Sequence, residues 1–227
     1  MSAQSVAVIV AHPDDEILGF GGAMARHVDR GDDVSVLILA TGLASRDLEG
    51  SVNQDSLEEL QDNAQSAGKI IGTRNIEFGD FPDNQMDSVS LLEVVKRVEE
   101  FIADFSPAVV YTHHVGDLNI DHRIVAQATM TACRPLPGAG VLALLAGEVN
   151  SSTEWASPGA EFRPNEFVEI DGVLDRKLRA LACYSGELRD WPHPRSIKAV
   201  EALARWRGSQ VGLTAAEAFS IVRRVCP

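Results

Sequence analysis

Runs of consecutive apolar residues, many of them β-branched, recur four times in the first half of the chain. They are SVAVIVA (5–11), DVSVLILATG (33–42), the weaker NIEFGD (75–80) and AVVYTH (108–113). A strand that is apolar without alternation is buried on both faces, the habit of a parallel sheet covered by helices. The stretches between the runs carry the helical period. Glu16–Arg30 opens with acids and ends at Gly31, the polarity that a helix dipole favours. Leu57–Ile71 stops before Gly72, Ser90–Phe105 begins with the capping-box pattern of a serine and Glu93, and His122–Cys133 predicts a fourth helix. Strand–helix alternation of this kind predicts an α/β fold, a three-layer α/β/α sandwich around a mostly parallel sheet.

Beyond residue 133 the pattern loosens. A Pro-, Gly- and Ser-rich stretch holds two short strand-like runs, near 142–149 and 166–170, and three helical stretches are expected at 173–185, 195–208 and 215–225. Ser45–Gln54 reads as a polar loop after the second strand, placed to act as a lid. With 227 residues and 45% hydrophobic content, the chain can build one substantial core, so 1–227 is read as a single domain. The net charge of −13 and the lack of a basic patch argue against nucleic acid. Arg205, Arg207, Arg223 and Arg224 form the strongest basic cluster and read as a solvated helix face, with acids close by in sequence. No stretch reaches the roughly 18 apolar residues of a membrane span, and the N-terminus reads as a strand rather than a signal peptide. Cys133, Cys183 and Cys226 are widely spaced and form no metal or disulfide pattern, so a reduced, cytoplasmic protein is expected. A homo-oligomer stays open.

The first apolar run ends abruptly in HPDDE (12–16). In an open α/β sheet, ligands bind outside the carboxyl ends of the strands. A dinucleotide would require glycines before the helix; here GFGGAM lies inside it and misses the last position of the fingerprint. Those glycines are read as positions where the helix packs closely on the sheet. A metal suits the acids better. His12 and Asp15 lie three apart across a strand-to-helix turn, and imidazole with carboxylate is a common zinc donor set that needs a third protein ligand. HHVGDLNIDHR (113–123) ends another strand, and His122 can open the next helix and point back. His27, mid-helix and without an acidic partner pattern, is read as structural.

AHPDDE and the later DLNIDHR resemble the LmbE-like, or PIG-L, zinc-dependent de-N-acetylases. The looser TGLASR (41–46), FPDNQMD (81–87) and RG…AEAF (207–219) extend the resemblance over most of the chain. The resemblance implies a Rossmann-like fold and hydrolysis of N-acyl groups from amino sugars, typically small N-acetylglucosamine conjugates. It implies Zn2+ held by His12, Asp15 and His122, with Asp14 as general base. Zinc would acidify water and polarise the amide carbonyl, and a free carboxylate beside it would take the proton. Arg46 and Asp83 resemble family residues that meet the sugar, and His114 is grouped with them as a substrate contact. Asp121 is expected to orient a ligand histidine from outside the metal's contacts, and Glu16 to support Asp14 or the helix start.

One position departs from the family's pattern. Where members often carry a histidine three residues before the third ligand, this chain has Asn119, which donates a hydrogen bond but delivers no proton. Either Asp14 performs both proton transfers or another histidine replaces the missing one. His193, between Pro192 and Pro194, is the first choice, and His113 or His114 the next. Three other readings stay in view: a zinc amidase for a larger amide such as a glucosaminyl-thiol conjugate, a silent sugar-binding homologue, and a magnesium phosphoryl-transfer enzyme. Retention of Asp14 argues against the second, and two histidine ligands against the third.

Overall fold

The computed structural model describes residues 3–40 and 54–226. Among them, β1 (Ser5–Val10), β2 (Asp33–Ala40), β3 (Asn75–Phe81), β4 (Val109–His113), β5 (Ala143–Gly147), β6 (Glu166–Glu169) and β7 (Ala216–Arg224) form one sheet. Its order is β3-β2-β1-β4-β5-β7-β6. The first five strands run parallel, and β7 is antiparallel to both β5 and β6. The helices are α1 (Asp15–Asp29), α2 (Gln54–Ile71), α3 (Leu91–Phe105), α4 (Ile120–Ala132), α5 (Leu174–Leu181) and α6 (Ile197–Ser209). No helix among the described residues is long and apolar enough to cross a membrane.

The central strand shows why its run is apolar throughout. Val6, Val8 and Val10 enter a core with α1, α2, α5 and α6, whereas Ala7, Ile9 and Ala11 enter a second core with α3 and α4. Two buried faces leave no position for a polar side chain until the strand ends at His12. Strand order reverses between β1 and β4, so α1 and α4 leave their strands on opposite faces and a crevice opens at their carboxyl ends.

Four expectations are corrected. The helix expected at 215–225 is strand β7. Its Ala and Glu content favours a helix locally, but pairing with neighbours on both sides overrides that weak preference. The four C-terminal arginines therefore share no helix face: Arg205 and Arg207 sit on α6 with Glu201 and Glu148, while Arg224 on β7 pairs with Glu166. Ser90 does stand at the N-cap of α3, but its side chain makes no cap hydrogen bond. His27 does have an acidic partner: Asp32, beyond the Gly31 turn, lies 2.7 Å from Nδ1, and the Tyr111 hydroxyl lies 3.0 Å from Nε2.

Helix α1 is braced by an ion pair from the C-terminal part of the chain. Glu217 of β7 accepts the backbone N–H groups of Gly22 and Ala23, each at 2.7 Å. Lys177 of α5 donates to Glu217 and to the Leu18 carbonyl, also at 2.7 Å. Both side chains are buried. A Cβ at Gly22 would stand 2.6 Å from Ile170 Cγ2 and 2.9 Å from Glu217 Oε1, so only glycine permits this approach. Removing one member of a buried, hydrogen-bonded pair leaves an unanswered charge, at a cost of about 3–5 kcal/mol. Lys177→Met is therefore expected to lower unfolding stability by that amount in urea titrations, and a loss under about 1 kcal/mol would contradict the bracing role.

Candidate metal centre and active site

The turn after β1 is shaped by strain and by buried acceptors. Asp14 adopts φ 102°, a left-handed conformation that costs a residue with a Cβ on the order of 1–3 kcal/mol. Two acids hold the turn. Asp15 Oδ2 accepts the His12 backbone N–H at 2.9 Å, and Glu16 Oε2 accepts that of Asp14 at 3.0 Å. The other Glu16 oxygen receives the Tyr184 hydroxyl at 2.5 Å. Burial pushes the Glu16 carboxyl up to about 7, against the pull of that hydroxyl.

Across the crevice, Asn119 caps α4. Its side-chain oxygen accepts the N–H groups of Asp121 and His122, and its amide donates to Asn84. The cap aims His122 back at β1. His12 Nδ1, Asp15 Oδ2 and His122 Nε2 lie 3.2–3.3 Å from one another, and all three residues are buried. Tetrahedral arms of about 2.0–2.1 Å subtend edges of about 3.3–3.4 Å, so these atoms match one face of a zinc-sized coordination shell.

The remaining ring nitrogens are engaged in the way such a centre requires. His12 Nε2 faces Asp121 at 3.0 Å and Asp83 at 3.2 Å. His122 Nδ1 faces Asp117 and the Ser152 hydroxyl, each at 3.3 Å. Carboxylates that take these outer protons leave the inner lone pairs free for a cation. The second metal-sized group, His12 with Asp83 and Asp121, shares His12 and is read as this outer layer. Asp121 also accepts the Asn84 and Met86 N–H groups, and Asp117 those of Asn119 and the Thr153 hydroxyl.

Asp14 is 1% exposed. Its Oδ1 has no hydrogen-bond partner among the described residues, and its Oδ2 lies 3.3 Å from Arg195. Burial pushes its carboxyl up to about 7, opposed by the Arg195 charge. His113 stacks on His122 with ring centres 3.9 Å apart and accepts the Ala11 N–H at Nε2. Burial, then the His122 charge, holds it down at about 3, as a neutral wall of the site.

The structure thus brings together His12, Asp14, Asp15, Asp83, Asn119, Asp121 and His122. His114 turns away: its Nε2 bonds the Ala160 carbonyl and its ring meets Phe162 edge-on. His193 is exposed, and its Nδ1 accepts the Arg195 N–H. Arg46 and residues 45–53 of the stretch expected to act as a loop or lid lie outside the described residues. Asp117, Ser152, Tyr184 and Arg195 were not anticipated. Asp117 was visible inside HHVGDLNIDHR, between the strand end and the ligand helix; the others carry no local signal.

The model of the PIG-L family, described as GlcNAc-PI de-N-acetylase, matches residues 7–133, which hold every one of these converging site residues. The chain belongs to the PIG-L family. Among its relatives, diacetylchitobiose deacetylase from Thermococcus kodakarensis is 27% identical over 99% of this chain and 86% of its own length. The 4-oxalmesaconate hydratase of Pseudomonas putida is 26% identical over 94% of this chain and 84% of its own. Two solved structures share the fold. The 4-carboxy-2-hydroxymuconate hydratase from Pseudomonas putida superposes with a TM-score of 0.81 at 23% identity, covering 99% of this chain and 98% of that one. N,N'-diacetylchitobiose deacetylase from Pyrococcus horikoshii gives 0.80 at 18%, covering 97% and 84%.

Loss of an orienting partner commonly weakens metal binding about 10–100-fold. Asp117→Asn is expected to weaken divalent-metal binding by that factor, read by competition with a chromogenic chelator. Unchanged affinity would show that Asp117 does not orient His122.

Proposed function

We propose that this protein is a zinc-dependent hydrolase that removes an N-acetyl group from a small N-acetylglucosamine-type conjugate. One observation carries the reading: three donor atoms at metal-ligand spacing stand beside a buried carboxylate with one unpartnered oxygen. Relatives named as deacetylases of diacetylchitobiose, of N-acetyl-glucosaminyl malate and of an acetamido-glucopyranosyl inositol support the substrate class.

His12, Asp15 and His122 would hold the zinc, which when bound polarises an amide carbonyl and acidifies water. Asp14 accepts the water's proton at Oδ1. The same unpartnered oxygen can return that proton to the departing amine. That double duty answers the Asn119 departure. The Asn119 amide is committed to the α4 cap and to Asn84, and exposed His193 gives its Nδ1 to the Arg195 N–H. Asp83, buried beside His12, is read as a sugar contact from the family resemblance.

A second reading follows from the same asparagine. Water addition to a carbon–carbon double bond has no leaving amine to protonate, and a hydratase is among the relatives that match nearly the whole chain. Mass spectrometry of zinc-loaded protein separates the two. Loss of an acetyl group from a panel of N-acetylglucosamine conjugates supports deacetylation, and gain of water on an unsaturated oxo-acid supports hydration.

Three variants test the roles. His12→Ala and His122→Ala each remove one of three protein ligands and should lose metal and activity together, and full zinc occupancy in both would refute the assignment. Asp14→Asn should keep its zinc yet lose about 10²–10⁴-fold in kcat, the usual share of acid–base catalysis. A near-normal kcat would leave Asp14 a structural residue.

A further inference from the structure

We propose that Arg195 is a positioning residue for Asp14: it binds one carboxylate oxygen and so reserves the other for proton transfer. The inference rests on the reading of Asp14 as the base.

Asp14 is chemically asymmetric. Arg195 Nη1 lies 3.3 Å from Oδ2, whereas Oδ1 is buried and has no partner among the described residues. A carboxylate turns readily about its last torsion, because that torsion is broad and roughly two-fold. No other donor among the described residues holds it: Glu16 takes the backbone N–H of Asp14, not its side chain. With no second donor on either oxygen, the orientation of the carboxylate depends on Arg195.

The arginine is itself held in place. Its backbone N–H donates to His193 Nδ1 at 3.0 Å, and the next residue, Ser196, caps α6 through the Ala199 N–H. Its Nε donates to Ser151 Oγ at 2.8 Å. Ser151 adopts φ 74° and precedes Ser152, whose hydroxyl lies 3.3 Å from the ligand histidine His122. The guanidinium therefore links the base to the loop that also supports a metal ligand. Glu187 lies 3.8 Å from the same nitrogen that faces Asp14. With two carboxylates around it, Arg195 is not a vacant receptor for an anionic substrate. The His193 ring acts here as the acceptor that closes the turn under Arg195.

The test is a double-mutant cycle on the zinc-loaded full chain, using diacetylchitobiose as substrate: Arg195→Ala, Asp14→Asn and the double variant. Arg195→Ala is expected to lower kcat about 10–100-fold with KM little changed, a coupling of ordinary size for contacting groups. Zinc content should stay at the wild-type level. Arg195→Lys should recover part of the loss, and added guanidinium chloride should partly rescue Arg195→Ala. In the Asp14→Asn background, Arg195→Ala should have no further effect, because residues acting as one unit are not additive. A crystal structure of Arg195→Ala should show the Asp14 carboxylate turned or split between rotamers, with His12, Asp15 and His122 in place. Full multiplication of the two losses, or an effect on KM alone, would overturn the positioning role while leaving the base intact. A near-normal kcat for Asp14→Asn would instead overturn the base reading, and the positioning role with it.

Discussion

Six carboxyl groups, those of Asp14, Asp15, Glu16, Asp83, Asp117 and Asp121, are sealed from solvent at one edge of the sheet, none more than 2% exposed. Negative charge this dense in a dry place must be met by donors or cations. The chain meets it with His12 and His122, with Arg195 and Tyr184, and with backbone N–H groups of the turns around them. Each of these contacts also fixes a segment. The turn after β1, the 83–86 turn, the start of α4, the 149–153 loop and the 187–196 loop are tied together through carboxylates. A divalent cation among the three inner donors fits the same electrostatic demand.

Backbone geometry sets where this occurs. The strand order reverses between β1 and β4, so the connections after these two neighbouring strands diverge and leave a crevice at their ends. The left-handed Asp14 then lets the chain enter α1 within a few residues, with His12 and Asp15 turned to one point. That local strain is repaid by Glu16 and Tyr184, which is why so large a side chain as Tyr184 is fully buried below the turn.

Local patterns carried much of this. Continuous apolar runs reveal two-sided burial, and HPDDE with DLNIDHR marks two strand ends facing each other, so the sandwich and the convergence of His12, Asp15 and His122 were legible. What escaped was non-local. β7 looks helical because its strand character comes from partners at least 47 residues away in sequence, not from alternation of its own. Arg195 reaches Asp14 from 181 residues further along the chain, and no spacing rule announces such a contact. His193 attracted notice as a rigidly held histidine, whereas the structure uses its ring to close the turn under the arginine two residues on. Asn119 was judged by what it lacks as a proton donor, and its capping oxygen was overlooked.

The brace on α1 limits how the chain can be divided. The stretch recognisable as PIG-L stops at residue 133, yet the helix that begins with the metal-facing acids is gripped by Lys177 and Glu217. The grip cannot be reversed end for end: a lysine at 217 offers no acceptor to the Gly22 and Ala23 N–H groups, and a glutamate at 177 would bring an acceptor, not a donor, to the Leu18 carbonyl. The recognisable stretch is therefore a poor candidate for transfer onto foreign strands. A graft would have to carry its C-terminal neighbours along, and a replacement at 177 and 217 would have to keep both a donor and a two-oxygen acceptor in place.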